Sequence, residues 1–171
     1  LRITGSRKGN YLVFFPSYKY MESVYELFYG EKVRVIIQNN NMSEKDREEF
    51  LAEFENNGND VLLGFCVLGG LFSEGIDLKK DSLIGSIIVG TGLPSISTEN
   101  SILKTFYDER ENKGYEYAYV YPGMNKVLQA AGRVIRTDED TGVIALLDDR
   151  FLWERYVSLF PKEWKNYHIV N

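Results

Sequence analysis

Five short apolar runs constrain this chain more than any other feature: Tyr11–Phe15, Val33–Ile37, Val61–Cys66, Ser86–Val89 and Val143–Leu147. Tyr11–Phe15 is apolar throughout rather than alternating, as a parallel strand covered on both faces requires. The stretches between the runs carry helical spacing. Ser17, just past Pro16, can cap a helix that places Met21, Val24, Leu27 and Phe28 at helical intervals and is closed by Gly30. Ser43 with Asp46 makes a near capping box for a second helix, which turns Phe50, Leu51 and Phe54 inward and ends at Asn56-Asn57-Gly58. A long helix follows Ser97. Strands alternating with helices predict an α/β fold with a mainly parallel sheet flanked by helices on both faces.

At 171 residues and 44% hydrophobic, the chain is long enough for one substantial core, and residues 1–171 are expected to form a single domain. No apolar run approaches the ~20 residues of a membrane-spanning helix, and Leu1-Arg2-Ile3-Thr4 lacks the features of a secretory signal. The expectation is a soluble, cytoplasmic protein with no membrane partner. Because the chain opens on Leu1 and reaches its first strand almost at once, it is expected to be a piece of something longer.

A single cysteine, Cys66, excludes an internal disulfide, and with His168 the only histidine there is no soft-ligand set for zinc or an iron–sulfur cluster. No metal site is expected within the chain. Cys66 lies in an apolar run and reads as a small buried hydrophobe. The net charge of -5 is not the footprint of a strongly basic nucleic-acid binder, although a groove can be locally basic while the rest of the surface is acidic.

In open parallel sheets ligands bind beyond the carboxyl ends of the strands. Three segments are assigned there: Pro16-Ser17-Tyr18, the stretch from Val67 to Leu78, and the polar stripe before the last strand. The second contains Ser73, Glu74, Gly75 and Asp77, where glycines permit close backbone approach to a phosphate or ribose, the hydroxyl can bond a phosphate and a carboxylate can accept from a sugar hydroxyl. An ordinary surface loop would look the same. In the third, Gln129, Arg133 and Arg136 stand at i, i+4 and i+7, so a helix would align an amide and two guanidinium groups on one stripe. Planar guanidinium forks suit the oxygens of a transferring phosphate. Surface pairing with Asp138, Glu139 or Asp140 is the plain alternative, and spacing alone does not decide between them.

Three motifs, taken together and in order, carry a family resemblance. Gly9-Asn10-Tyr11-Leu12-Val13-Phe14-Phe15-Pro16-Ser17-Tyr18 resembles helicase motif IV, Ser73-Glu74-Gly75-Ile76-Asp77 resembles motif V, and Gln129-Ala130-Ala131-Gly132-Arg133-Val134-Ile135-Arg136 resembles motif VI of the XPD/DinG branch of superfamily 2. Gln129 stands where DEAD-box proteins usually have histidine, and Glu74 before Gly75 is typical of this branch. The resemblance covers Gly9 to about Phe151.

What the resemblance implies is specific. The fold would be a three-layer RecA-like motor domain, the second of two in an ATP-dependent DNA helicase. Gln129, Arg133 and Arg136 would face the γ-phosphate of ATP, with the arginines as fingers. Glu74, Gly75 and Asp77 would serve the nucleotide side, and Ser17, Tyr18 and Ser73 would contact single-stranded DNA. Tyr18 could equally pack against its own helix. No P-loop pattern or DEAH-like segment occurs, so ATP and Mg2+ would be held mainly by an N-terminal P-loop domain of the same parent chain, and the isolated chain is expected to be inactive. An iron–sulfur cluster, where the parent has one, would sit in that other half. Alternative readings are a non-catalytic nucleotide-binding domain and a protein-interaction domain that has kept a helicase fold.

Overall fold

The computed structural model describes residues 2–5, 7–28, 33–56, 60–73, 82–135 and 140–170. After a single helical turn, α1 (Arg2–Gly5), come β1 (Asn10–Phe15), α2 (Tyr18–Leu27), β2 (Arg34–Ile37), α3 (Glu44–Asn56), β3 (Leu62–Val67) and β4 (Gly85–Val89). Helix α4 (Thr98–Glu111), α5 (Tyr121–Ala131), β5 (Val143–Leu147) and the short α6 (Glu154–Val157) complete the order. The strands form one five-stranded sheet in the order β2-β3-β1-β4-β5, with every pairing parallel. The expected α/β class and parallel sheet are both present.

Central β1 is buried along its whole length, so its side chains divide strictly between two cores. Tyr11, Val13 and Phe15 join Leu63, Phe65 and Met21 on the α2 face. Leu12 and Phe14 join Leu62, Cys66, Phe50 and Phe54 beneath α3, and Met124 and Val127 beneath α5. This is a three-layer arrangement of RecA-like type, with helices on both faces.

The caps form as the sequence predicts. Ser17 Oγ accepts from the Tyr20 amide at 3.2 Å, and Ser97 Oγ accepts from the Asn100 amide at 3.1 Å. Ser43 and Asp46 close a reciprocal box: the Asp46 amide donates to Ser43 Oγ, while the Ser43 amide and hydroxyl both donate to the carboxylate. Leu27, placed at helical spacing with Met21, Val24 and Phe28, is 81% exposed. At about 100° per residue it stands roughly 120° away from Met21, whereas Val24 and Phe28 stay on the Met21 stripe. Gly30 lies outside the described residues, as do Asn57 and Gly58.

The long helix expected after Ser97 is α4. Asn112 adopts the left-handed conformation (φ 53°) and ends α4. Asp108 accepts from the Gly114 amide at 2.7 Å, and the chain re-enters helix through a π-helical segment, Glu116–Val120, that leads into α5. Tyr107 of α4 stacks on Tyr117 with ring centroids 4.0 Å apart. The C-terminal stretch, which the sequence left unassigned, inserts Phe151 and Tyr156 into the α3/α5 core. No helix among the described residues is long and apolar enough to cross a membrane.

Candidate functional site

At the carboxyl end of the sheet, the turns after β1 and β3 meet. Ser17 is exposed with its hydroxyl engaged as the α2 cap, and Tyr18 beside it is half-buried. Burial pushes the Tyr18 phenol above its usual pKa. Its oxygen accepts from Gln38 Nε2 at 2.8 Å, and Gln38 Oε1 accepts from the Val67 amide at 2.9 Å. Gln38, immediately after β2, is fully buried. Ser73 is buried too: its Oγ accepts from the Gly69 amide at 2.9 Å and donates to the Val67 carbonyl at 3.4 Å, folding the turn onto itself. Its hydroxyl is therefore directed into the turn rather than to solvent. Glu74, Gly75 and Asp77 lie outside the described residues.

Helix α5 runs antiparallel to the strands, from the carboxyl end to the amino end. At its start, Gly123 lies so close to the β4 exit that a Cβ there would stand 2.6 Å from the Thr91 carbonyl oxygen and 3.2 Å from the Leu93 nitrogen. Near its end, the Ala130 carbonyl accepts from the buried Ser86 hydroxyl at 3.1 Å, and Ser86 is the second residue of β4. Ala130 and Ala131 are both buried, so the small residues of this segment do bring helix and sheet together. Gly132 is exposed and takes no part in that packing.

Two expectations are corrected here. The helix that would align the stripe ends at Ala131, and the Arg133 and Val134 amides donate to the Ala130 and Ala131 carbonyls in a tightened turn. In that turn Val134 is buried, with its side chain beside Gly142. Nor does the third segment lie at the carboxyl ends of the strands. It precedes a parallel strand, so it sits at the amino end, across the domain from Ser17, Tyr18 and Ser73.

Gln129 is exposed on the last turn of α5, and Arg133 is half-buried with its Nε inside the protein surface. Arg136 lies outside the described residues. Asp148, just past β5, accepts from Arg150 Nε at 2.8 Å and Nη2 at 2.7 Å, and this bidentate contact holds its carboxyl below the usual range. Among the described residues no group of three or more His, Cys, Asp or Glu side chains is placed to hold a metal. Among the described residues the donors do not fit Mg2+ or an iron–sulfur cluster, since Asp148 is taken by Arg150 and Cys66 is fully buried with its thiol pushed well above its usual pKa. His168 is exposed near the C-terminal end.

Gln38 and the Asp148–Arg150 pair escaped the sequence reading. A signal for Gln38 was present: a polar residue directly at the carboxyl end of an apolar strand sits where parallel sheets build their sites.

Comparison with known proteins places this geometry in a family. The sequence matches the helicase C-terminal domain over residues 1–167. It is 32% identical over 167 residues to the XPD helicase subunit of general transcription and DNA repair factor IIH from Saccharomyces cerevisiae, covering 88% of this chain and 20% of that protein. It is 29% identical to a probable ATP-dependent helicase of Methanocaldococcus jannaschii, covering 88% of this chain and 25% of the relative. A solved XPD helicase superposes with a TM-score of 0.73 at 27% identity, over 92% of this chain and 28% of that one. The chain thus spans a quarter or less of the length of these sequence relatives. Matched along nearly its whole length and sharing the parallel three-layer fold, the chain belongs to the helicase C-terminal domain family, as a second RecA-like domain of the XPD/DinG type.

Proposed function

We propose that this domain is the second motor half of an ATP-dependent DNA helicase, supplying arginine fingers to a nucleotide held by the P-loop domain of the same parent chain and forming part of a single-stranded DNA track. The observation that carries the reading is the separation of the two motif sets. Arg133 stands at the amino end of the sheet with Gln129 on the preceding turn, and Ser17 and Tyr18 stand at the carboxyl end. A motor needs the two surfaces apart but rigidly joined, so that closure on nucleotide at one moves nucleic acid at the other.

ATP and Mg2+ belong chiefly to the P-loop domain, and the metal there neutralises charge on the phosphates. When water attacks the γ-phosphorus and the bond to the β–γ bridging oxygen breaks, negative charge spreads over the phosphoryl and departing oxygens. Arg133 and Arg136 present planar forks to that charge, and an arginine finger of this kind contributes ~10³–10⁵ in rate. Gln129 orients the phosphate or attacking water, and Glu74, Gly75 and Asp77 serve the nucleotide side of the cleft. On the DNA side, Tyr18 offers an aromatic face to a base, with Ser17 toward the phosphates. Ser73 folds the turn beside them, and its hydroxyl reaches phosphate only by leaving the Gly69 amide.

The test is DNA-stimulated ATP hydrolysis by the parent protein, wild type against Arg133→Ala and Arg136→Ala, with the isolated domain alongside. Turnover lost in both variants with ATP binding retained, and an inert isolated domain, are expected. Unchanged turnover would return both arginines to surface pairing and sink the mechanism.

A further inference from the structure

The nucleic-acid residues at the carboxyl end come from separate connections, and something must hold them in register. Three segments meet at one side chain. Gln38 leaves the end of β2, and its own amide donates to the Phe65 carbonyl at 2.8 Å. Its Nε2 donates to the Tyr18 phenol at the start of α2, and its Oε1 accepts from the Val67 amide at the end of β3. Gly70, in the turn that follows, lies against the same group: a Cβ there would meet Gln38 Nε2 at 3.4 Å and the Val67 carbonyl oxygen at 3.0 Å.

An amide side chain suits this place because it donates and accepts at once without carrying charge into the interior. Buried at 1% exposure, it is shielded from competing water, and loss of either contact would leave a buried polar group unsatisfied. A residue needed only to fill the space would be apolar, as its strand neighbours Val35, Ile36 and Ile37 are.

We propose that Gln38 is a positioning residue for nucleic-acid binding: it clamps Tyr18 and the Val67–Ser73 turn into one unit. The inference rests on the DNA-track reading above and extends it to a side chain that faces no ligand. Tyr18 is half-buried, so its ring can be offered to a base only in the orientation its phenol contact sets. Through Gln38 that orientation is tied to the end of β3 and the turn closed by Ser73.

The experiment uses the parent protein and a fluorescein-labelled oligo-dT strand, with Kd measured by anisotropy and hydrogen–deuterium exchange followed over the Val67–Ser73 turn. Gln38→Met keeps the length and removes both contacts, while Tyr18→Phe removes only the phenol oxygen and leaves the core filled. Each is expected to raise the Kd for oligo-dT about fivefold to tenfold, the scale of one hydrogen bond. Exchange in the turn should quicken in both. Because the two side chains act through one contact, the double variant is expected to bind no more weakly than the worse single variant.

Two results would overturn the proposal while leaving the DNA track intact. One is a Kd within twofold of wild type in both single variants, which would leave Gln38 with a purely structural role. The other is multiplication of the two effects in the double variant, which would make the sites independent. Wild-type protein that fails to bind oligo-dT at all would remove the track and the clamp together.

Discussion

The two ends of the sheet are built by different means. At the carboxyl end the candidate residues come from the connections after β1, β2 and β3, and their relative positions follow from the parallel register that pairs Phe15 with Val67 and Ile37 with Phe65. At the amino end, Arg133 stands in the turn that follows α5. Helix α5 is set by Gly123 against the β4 exit, by the Ser86 contact to Ala130, and by Val134 against Gly142. Eleven residues at about 1.5 Å each carry that placement roughly 16 Å across the sheet.

The largest expected effect is a double dissociation between the ends. Arg133→Ala in the parent should reduce DNA-stimulated turnover by about 10³ or more while oligo-dT affinity stays within about twofold. Arg133→Lys should recover little, because an ammonium lacks the planar fork. Tyr18→Ala should do the reverse and weaken DNA binding by about 1–3 kcal/mol, the worth of one stacked base. Anisotropy and a phosphate-release assay on the same preparations read both quantities. Variants that fall equally in both assays would mean that the ends are not separate sites.

Glycine substitutions sharpen the comparison by perturbing the α5 seat without touching a ligand. A Cβ at Gly142 would overlap Cγ1 of Val134, the residue after Arg133, and stand 3.1 Å from the Ile84 carbonyl oxygen. A Cβ at Gly123 would overlap backbone at Thr91 and Gly92, at the other end of the helix. Each change to Ala should cost about 1–3 kcal/mol in denaturant unfolding, as overpacking does. Gly142→Ala should also lower turnover out of proportion to its stability loss, since the displaced residue is the neighbour of Arg133. Equal turnover in Gly142→Ala and wild type would show that the Arg133 position tolerates movement of its support.

The contrast also explains what the amino-acid sequence made legible. Strand runs and caps depend on neighbours in the chain, so Tyr11–Phe15, Ser17, Ser43 with Asp46, and Ser97 could all be read from local pattern. The re-entry into helix after α4 could not, because it is packed by Tyr107 stacking on Tyr117 across two elements. Gln129 and Arg133 are singled out by motif, but the turn that ends α5 is not legible there, since Val134 within it is buried beside Gly142, a tertiary contact. Placement of that segment at the carboxyl end was a topological error: a helix leading into a parallel strand must finish at its amino end. For Gln38 the sequence carried only its position at a strand end, since its partners Tyr18 and Val67 lie 20 and 29 residues away.

The smallest effect concerns Asp148, which lies beside the carboxyl-end connections and tests whether that end is held electrostatically as well as by register. The Arg150 side chain, then the Arg150 backbone amide, favour its ionised form, outweighing the opposing effect of burial, so its carboxyl titrates lower in the folded than in the unfolded chain. The sign follows. The unfolded state takes up the proton first as pH falls, so the contribution to stability is complete above the ordinary carboxylate range near pH 4 and disappears as acidification passes the folded value. Arg150 is 37% exposed, and water screens the pair, so Asp148→Asn should cost only about 0.5–1 kcal/mol at pH 7. Denaturant unfolding of wild type and variant at pH 7 and in steps toward pH 3 should show two curves that converge as the acid limit is approached. A gap that persists unchanged at the lowest pH would assign the loss to the turn geometry at Arg150, leaving the carboxyl end fixed by its hydrogen-bonded register alone.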